Sequence, residues 1–276
     1  MKNFVYVILL WISYCPIMAQ EYTIIDTTKV NFYYDYTFVR DTTDLTLKSH
    51  DDMVLQVGEK YARFSHTTDV EVDSALYLYR DYTFHEQLKL ANDVFQLPGT
   101  SKYSFYRLYK NYPKKSQYSM DFYSNKSHIR IAEPIFQSWN LEEAQDTTIM
   151  GYRCSMATCH YAGRDYRAWY TLDIPISMGP YKFDGLPGLV VRVEDSEKQH
   201  VFQLYKIGKR KRKIFYVKND KEIKACSEEL SKIFYQGLQT RYRSVTGGKV
   251  FQFDDQSYNA KIGRYILSHN NFIERY

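Results

Sequence analysis

Val30-Asn31-Phe32-Tyr33-Tyr34-Asp35-Tyr36-Thr37-Phe38 is the stretch that decides the fold. Val30, Phe32, Tyr34, Tyr36 and Phe38 take every second position, and Asn31, Asp35 and Thr37 lie between them. Successive side chains of a strand point to opposite faces, so a period of two predicts a strand with one face buried. Outward from it, Asp41-Thr42-Thr43-Asp44 reads as a turn or loop, and Leu45 and Leu47 begin the next strand. Met53, Leu55 and Val57 alternate again; Gly58-Glu59-Lys60 reads as a hairpin connection, with Tyr61 to Phe64 returning. Further strands are predicted over 103–109 and 117–123, around Pro113-Lys114-Lys115, and over 152–161 and 165–171, around Gly163-Arg164. Leu189, Val191 and Val193 then alternate with Arg192 and Glu194, Ser196-Glu197-Lys198 turns the chain, and strands over 201–207 and 214–217 follow.

Two segments carry helical spacing. Between Ser74 and Leu97, residues Leu76, Tyr79, Leu88, Ala91, Val94 and Phe95 suit helical faces, with Ser74 as a cap and Pro98-Gly99 as the end. Asp220 can cap a second helix, in which Ile223, Leu230, Ile233, Phe234 and Leu238 form a stripe that includes Cys226. The expected fold is mainly β with α: one domain over residues 20–276, a twisted or half-barrel antiparallel sheet with one or two helices packed on it. The 28 tyrosines fit this reading, because tyrosine favours strands and pairs across them. A tyrosine also offers an apolar ring with a polar tip, so a sugar- or peptide-binding face is the functional alternative to an aromatic-rich sheet surface.

The N-terminus reads as an address. Lys2 is followed by an apolar run from Phe4 to Ile12, a break at Pro16 and a small residue at Ala19, the pattern of a secretory signal peptide over 1–19. The run is too short for a transmembrane helix. Tyr14 precedes Cys15 where lipoprotein signals resemble one another in carrying a small residue, so the expected product is exported, periplasmic or secreted, and not lipid-anchored. Loss of the leader removes one charge from the net +5, and the mild basicity that is left excludes the strong footprint of a nucleic-acid binder. Cys154, Cys159 and Cys226 would enter an oxidising space, which permits one disulfide. On one continuous strand Cys154 and Cys159 would face opposite sides and could not bond; they could bond only if Ser155 to Thr158 form a loop.

Between Gly151 and Asp195 the chain reads GYRC and then GRDYRAWYTLDIPISMGPYKFDGLPGLVVRVED. This resembles the GLPGLI family of secreted proteins of Bacteroidota. Trp169-Tyr170-Thr171 is similar to its AWYT element and Ile174-Pro175-Ile176 to its IPI element. Gly179-Pro180 and Phe183 fall where the family places them, and Gly185-Leu186-Pro187-Gly188-Leu189 is its namesake motif, with Val190 in place of isoleucine. Weaker similarity reaches Met53 to Gly58 and Asn271-Phe272-Ile273-Glu274. The resemblance fixes a family and implies no biochemical activity. Read physically, Leu186-Pro187-Gly188-Leu189 suits a type II turn, with Pro187 presetting the first central residue and Gly188 supplying positive φ. Gly185 allows a bend or a close backbone approach. The alternative is a loop that closes over a ligand.

The catalytic search finds no nucleophile elbow, no phosphate-binding glycine loop and no metalloprotease helix, since His85-Glu86 lacks the second histidine. No zinc spacing occurs, and no cofactor or metal is expected. Arg164, Asp165, Lys182 and Asp184, with Asp173, form either salt bridges at a sheet rim or a polar site. Trp169 and Tyr170 should face opposite sides, one in the core and one lining a groove. Lys209-Arg210-Lys211-Arg212-Lys213 is either a solvated hairpin tip or a contact for an anionic surface such as envelope lipid or lipopolysaccharide. The expectation is a non-enzymatic binding or carrier module for an apolar or envelope ligand. The alternatives are an accessory protein of an outer-membrane transporter and a hydrolase of unfamiliar type.

Overall fold

Strand-forming alternation dominates this chain, and strands dominate its structure. The computed structural model describes residues 21–42, 44–83, 85–86, 89–90, 93, 106–124, 127–134, 138–141, 147–218 and 222–225. In chain order these form β1 (Glu21–Thr27), β2 (Val30–Asp41), β3 (Asp44–Val57), β4 (Ala62–His66) and helix α1 (Thr67–Leu78). Then come β5 (Tyr106–Lys110), β6 (Gln117–Ser124), β7 (Ser127–Pro134), β8 (Asn140–Leu141), β9 (Thr147–Ile149), β10 (Tyr152–Tyr161) and β11 (Arg164–Thr171). The last are β12 (Leu189–Asp195), β13 (His200–Gly208), β14 (Lys213–Lys218) and β15 (Glu222–Ala225). The result is a β-rich antiparallel protein with a packed helix, as the sequence predicts. The chain divides into two compact units: Met1–Tyr33, Asp52–Pro134 and Ile207–Lys224 in unit 1, and Tyr34–Asp51, Ile135–Lys206 and Ala225–Tyr276 in unit 2.

In unit 1 the strand order is β3-β4-β5-β6-β7-β15, and β1 pairs with β14 as a separate ribbon. Register places Phe64, Leu108 and Met120 in one row across β4, β5 and β6, on the apolar face. The opposite face carries Arg63 and Ser65 on β4, Arg107 and Tyr109 on β5, and Ser119 and Asp121 on β6, and all of these are buried too. Helix α1 supplies partners for the two arginines. Arg63 Nη2 meets Asp73 at 2.6 Å, and Arg107 grips both oxygens of Asp73 at 2.7 and 3.1 Å. Asp69 lies 3.6 Å from the Arg107 guanidinium. Burial works most strongly against the charge of Arg63, but Asp73 beside it, together with Tyr109 and Asp69, outweighs that and strengthens its hold on the proton.

The helix begins at Thr67 rather than at Ser74, with His66 as its cap: the His66 ring accepts from Thr68 N at 3.1 Å. Ser74 sits inside the helix and donates to Val70 O at 2.6 Å. The spacing of apolar residues misleads here because the buried positions include Asp69 and Asp73. His85, Glu86, Lys89, Leu90 and Asp93 are helical, and Thr83 and Glu86 cap each other reciprocally; Leu88, Ala91, Val94 and Phe95, with Pro98-Gly99, lie outside the described residues. Met53 to Val57 is buried on both faces, and not on one as its alternation implies. Glu222–Ala225 is a strand beside β7 and not the first turn of a helix, since Glu-Ile-Lys-Ala also alternates and the β7 edge offers it a ladder. The rest of that predicted helix, with Cys226 and Leu230 to Leu238, lies outside the described residues, as do the leader with Cys15 and Ala19 and the segment Asn271 to Glu274.

In unit 2 the order is β2-β13-β12-β11-β10, with β8 and β9 both pairing β10. Ala162 and Gly163 turn β10 into β11 with φ of 45° and 74°. Tyr34, Tyr36, Tyr166, Phe183, Phe202 and Leu204 are buried, and Tyr36 stacks on Phe202 with ring centres 4.0 Å apart.

Candidate functional site

The GLPGLI-like segment is built into the core of unit 2. The loop after β11 returns along itself, with Leu189 N donating to Ile174 O and Val190 N to Met178 O. Phe183 is fully buried among Tyr166, Tyr161, Tyr181 and Phe202. Asp184 is buried and accepts from Gly179 N at 2.8 Å, while its carbonyl accepts from Trp139 Nε1 at 2.8 Å. Lys182 is buried with its ammonium 5.5 Å from the Tyr181 ring centre. Leu186 and Leu189 are buried, Ser177 Oγ donates to Leu186 O, and Pro187 lies between.

The two glycines exchange the roles that the sequence predicts for them. Positive φ falls on Gly185, at 91°, and not on Gly188. A Cβ on Gly188 would stand 1.9 Å from Thr171 O, whereas one on Gly185 would meet nothing within 4 Å. Residues 186–188 form an open bend and not a type II turn. Gly188 is glycine because the backbone of Thr171 passes too close for any side chain.

The remaining polar residues of the segment do not converge on one site. Arg164 is buried and pairs with Asp195 at 2.8 Å, and Asp195 also accepts from Gln199 N and His200 N. Asp165 points the other way, pairing with His160 at 2.7 Å in the open. Tyr170 is core, and Trp169 faces outward, half-buried. Cys154 and Cys159, both buried on β10, are unbonded. Burial pushes the Cys159 thiol up to about 12 and raises Cys154 as well, so neither is poised as a nucleophile.

What the segment does present is an ordered set of cross-strand rows on one face of β10 to β13. Register lines up Met156, Trp169, Arg192 and Gln203 in one row, and Thr158, Arg167, Glu194 and Val201 in the next. The Arg192 guanidinium lies 5.6 Å from the Trp169 ring centre and donates to Gln203 Oε1 at 2.9 Å. Glu194 takes Arg192 at 2.7 Å on one oxygen and Arg167 at 3.3 Å on the other. Its side chain is 4% exposed, while those of Arg192 and Arg167 are 33% and 41% exposed, so a buried anion holds two cations at the surface. Arg167, Arg192 and Gln203 were not candidates on sequence. Arg192 and Glu194 were legible as outward alternates of a strand, but their alignment with Trp169 depends on register, which a bulge between Trp169 and Tyr170 shifts.

The basic run is not a hairpin tip, because β14 leaves β13 to pair with β1. Lys209, Arg210, Lys211 and Lys213 are exposed. Arg212 is drawn down to Glu71 at 2.7 Å, a carboxylate far away in sequence. Lys213 Nζ donates to Thr27 Oγ1 at 3.3 Å. Among the described residues no group of three or more histidine, cysteine or acidic side chains could hold a metal ion, and no helix is long and apolar enough to cross a membrane.

Residues 162–192 match a family described as a protein of unknown function, Porph_ging. That span takes in the outward Arg167, Trp169 and Arg192 together with the loop that fixes them. No curated protein matches the chain. Among solved structures, PNGF-II in space groups P21 and C2 is similar, with TM-scores of 0.47 and 0.46 at 11% and 12% identity. The match covers 76% of this chain and 33% of PNGF-II, so the chain spans a third of that protein's length, and a likeness this distant carries no argument.

Proposed function

We propose that this protein is a GLPGLI-type binding module, exported to the cell envelope after cleavage behind Ala19, that holds an envelope glycan on the outer face of β10 to β13. The observation that carries this reading is the row of Trp169, Arg192 and Gln203, with Arg192 and Arg167 locked by the buried Glu194. A flat aromatic ring beside planar donors held in fixed positions suits the apolar faces and hydroxyl edges of a sugar. Both oxygens of Glu194 are engaged by arginine, which leaves the carboxylate as an anchor and not a general base. In this reading the sheet is a half-barrel scaffold and the GLPGLI-like loop is the packing device that fixes β11 against β12.

The test is titration of the mature protein with polysaccharide from the envelope of its host, followed by tryptophan fluorescence. Trp169→Ala is expected to lose at least about tenfold in affinity, while Trp139→Phe, altered at a tryptophan that hydrogen-bonds the loop, keeps it. Equal binding by Trp169→Ala and wild type would remove this face from consideration.

A further inference from the structure

Unit 1 contains an open cavity of about 200 Å³, its mouth included, lined by Asn31, Tyr33, Gln56, Thr67, Glu71 and Arg212 among others. Gln56 is fully buried, yet neither its side-chain oxygen nor its nitrogen has a hydrogen-bond partner. Buried amides are almost always satisfied, and one left open on both atoms needs something to complete it. Asn31 Oδ1 and Arg212 Nε, on the same cavity wall, are also buried without partners. The cavity therefore offers donors and acceptors together, with room inside for a group about the size of one water.

The neighbouring backbone is pinned. Asn31 Nδ2 donates to Arg210 O at 2.9 Å, Arg212 N donates to Thr28 Oγ1 at 2.9 Å, and Thr28 N donates to Arg212 O at 2.8 Å. Arg212 and Glu71 neutralise each other at 2.7 Å. Lys209, Arg210 and Lys211 are exposed beside them, and among the described residues no carboxylate pairs with any of the three side chains. Exposed cations paired with no carboxylate among the described residues thus adjoin Arg212, which lines a pocket whose amide lacks a partner.

We propose that this cavity and its basic border form a subsite for a hydroxyl-bearing anion of the sugar-phosphate class. One hydroxyl enters between Gln56, Asn31 and Arg212, donating to a carbonyl oxygen and accepting from Gln56 Nε2 or Arg212 Nε. The phosphate stays outside, held by Lys209, Arg210 and Lys211. The subsite lies in unit 1 and does not depend on the glycan face of unit 2. Its ligand chemistry is shared by a free sugar phosphate and by the phosphorylated sugar of a lipopolysaccharide.

Calorimetry of the mature protein with glucose 6-phosphate, glucose and inorganic phosphate tests this. Glucose 6-phosphate is expected to bind at least about tenfold more tightly than inorganic phosphate. Gln56→Leu should erase that advantage while leaving phosphate binding unchanged, and it should keep the fold because it removes an unsatisfied amide. Replacing Lys209, Arg210 and Lys211 together with Gln should weaken both anions, and added salt should do the same to wild type. Displacement of the protein from lipopolysaccharide vesicles by glucose 6-phosphate would place the phosphosugar on the membrane; absence of vesicle binding would make the ligand the soluble one. If glucose 6-phosphate binds no better than phosphate, or if Gln56→Leu binds it as wild type does, the cavity holds only water and the proposal falls.

Discussion

In unit 1 the face of β4 to β6 beneath α1 buries Arg63, Arg107, Asp69 and Asp73 against one another; in unit 2 the loop before β12 buries Phe183 and Tyr166 around glycines that let backbones touch. Both solutions cover a face of the sheet, but they resist change differently. A buried ion cluster tolerates no missing partner, because each charge was taken out of water on the strength of the others. A tight apolar core tolerates no added atom, because its neighbours are already in contact. Deletion should therefore be the damaging change in unit 1 and insertion the damaging change in unit 2.

The largest effect is expected at Asp73, which carries both arginines. Asp73→Ala leaves two buried guanidinium groups facing one another and should cost about 3–5 kcal/mol in urea denaturation. Replacing Arg63 and Arg107 with Met and both Asp69 and Asp73 with Leu in the same chain should restore much of that loss, since apolar groups of similar volume often substitute for buried ions without penalty. A loss below about 1 kcal/mol for Asp73→Ala would show that packing, not charge, holds unit 1.

Gly188→Ala is the matching test in unit 2. The new methyl would stand 1.9 Å from a backbone oxygen that no rotamer change can move, so a loss of about 1–3 kcal/mol is expected. Gly185→Ala separates crowding from conformation, because there φ is 91° with open space around the site. It should cost about 1 kcal/mol from backbone strain alone. Equal losses at the two positions in chemical denaturation would undo the distinction between them.

The same contrast explains what could be read from the sequence. Unit 2 was largely legible: β10 runs over 152–161 as its alternation predicts, and β11 to β13 differ from the expected bounds by a residue or so. Apolar alternation is the signal that sequence reading uses, and unit 2 buries apolar residues. Apolar spacing misplaces the start of α1 because its buried positions include Asp69 and Asp73, which read as solvent-facing until Arg63 and Arg107 are brought to them from other strands. β1 was missed because Glu21-Tyr22-Thr23-Ile24-Ile25-Asp26 has no clean period, and a bulge between Ile24 and Asp26 breaks its register. The candidate face was half legible. Trp169 is a candidate on sequence alone, but the arginines that frame it are placed by pairing between strands, which no local pattern encodes.

The smallest predicted effect concerns a carboxylate that closes a turn, a device found in both units. Asp195 does this in unit 2 while buried against Arg164. In unit 1 Asp26 does it near the surface: its oxygens accept from Thr27 N at 2.7 Å, Lys60 N at 2.8 Å and Tyr61 N at 3.1 Å, bracing the Gly58 to Tyr61 hairpin turn. Partial burial works to raise its pKa, but the backbone N–H groups of Lys60, Thr27 and Tyr61 outweigh this and hold the carboxyl below the usual aspartate range. A folded-state pKa below the unfolded value means that the unfolded chain takes up the proton first on acidification. The stabilisation is thus complete above the unfolded value of about 3.9, and it fades as pH falls through the lower, folded value. Asp26→Asn keeps the shape and removes the charge, so it should lower stability by less than about 1 kcal/mol at neutral pH, the scale of an exposed ionic contact. The gap between variant and wild type in thermal midpoint should hold steady from neutral pH to the edge of the carboxylate range and then close in more acid solution. A gap that widens as the pH drops would mean that Asp26 is held by its neutral form, and that the turn is braced by shape and not by charge.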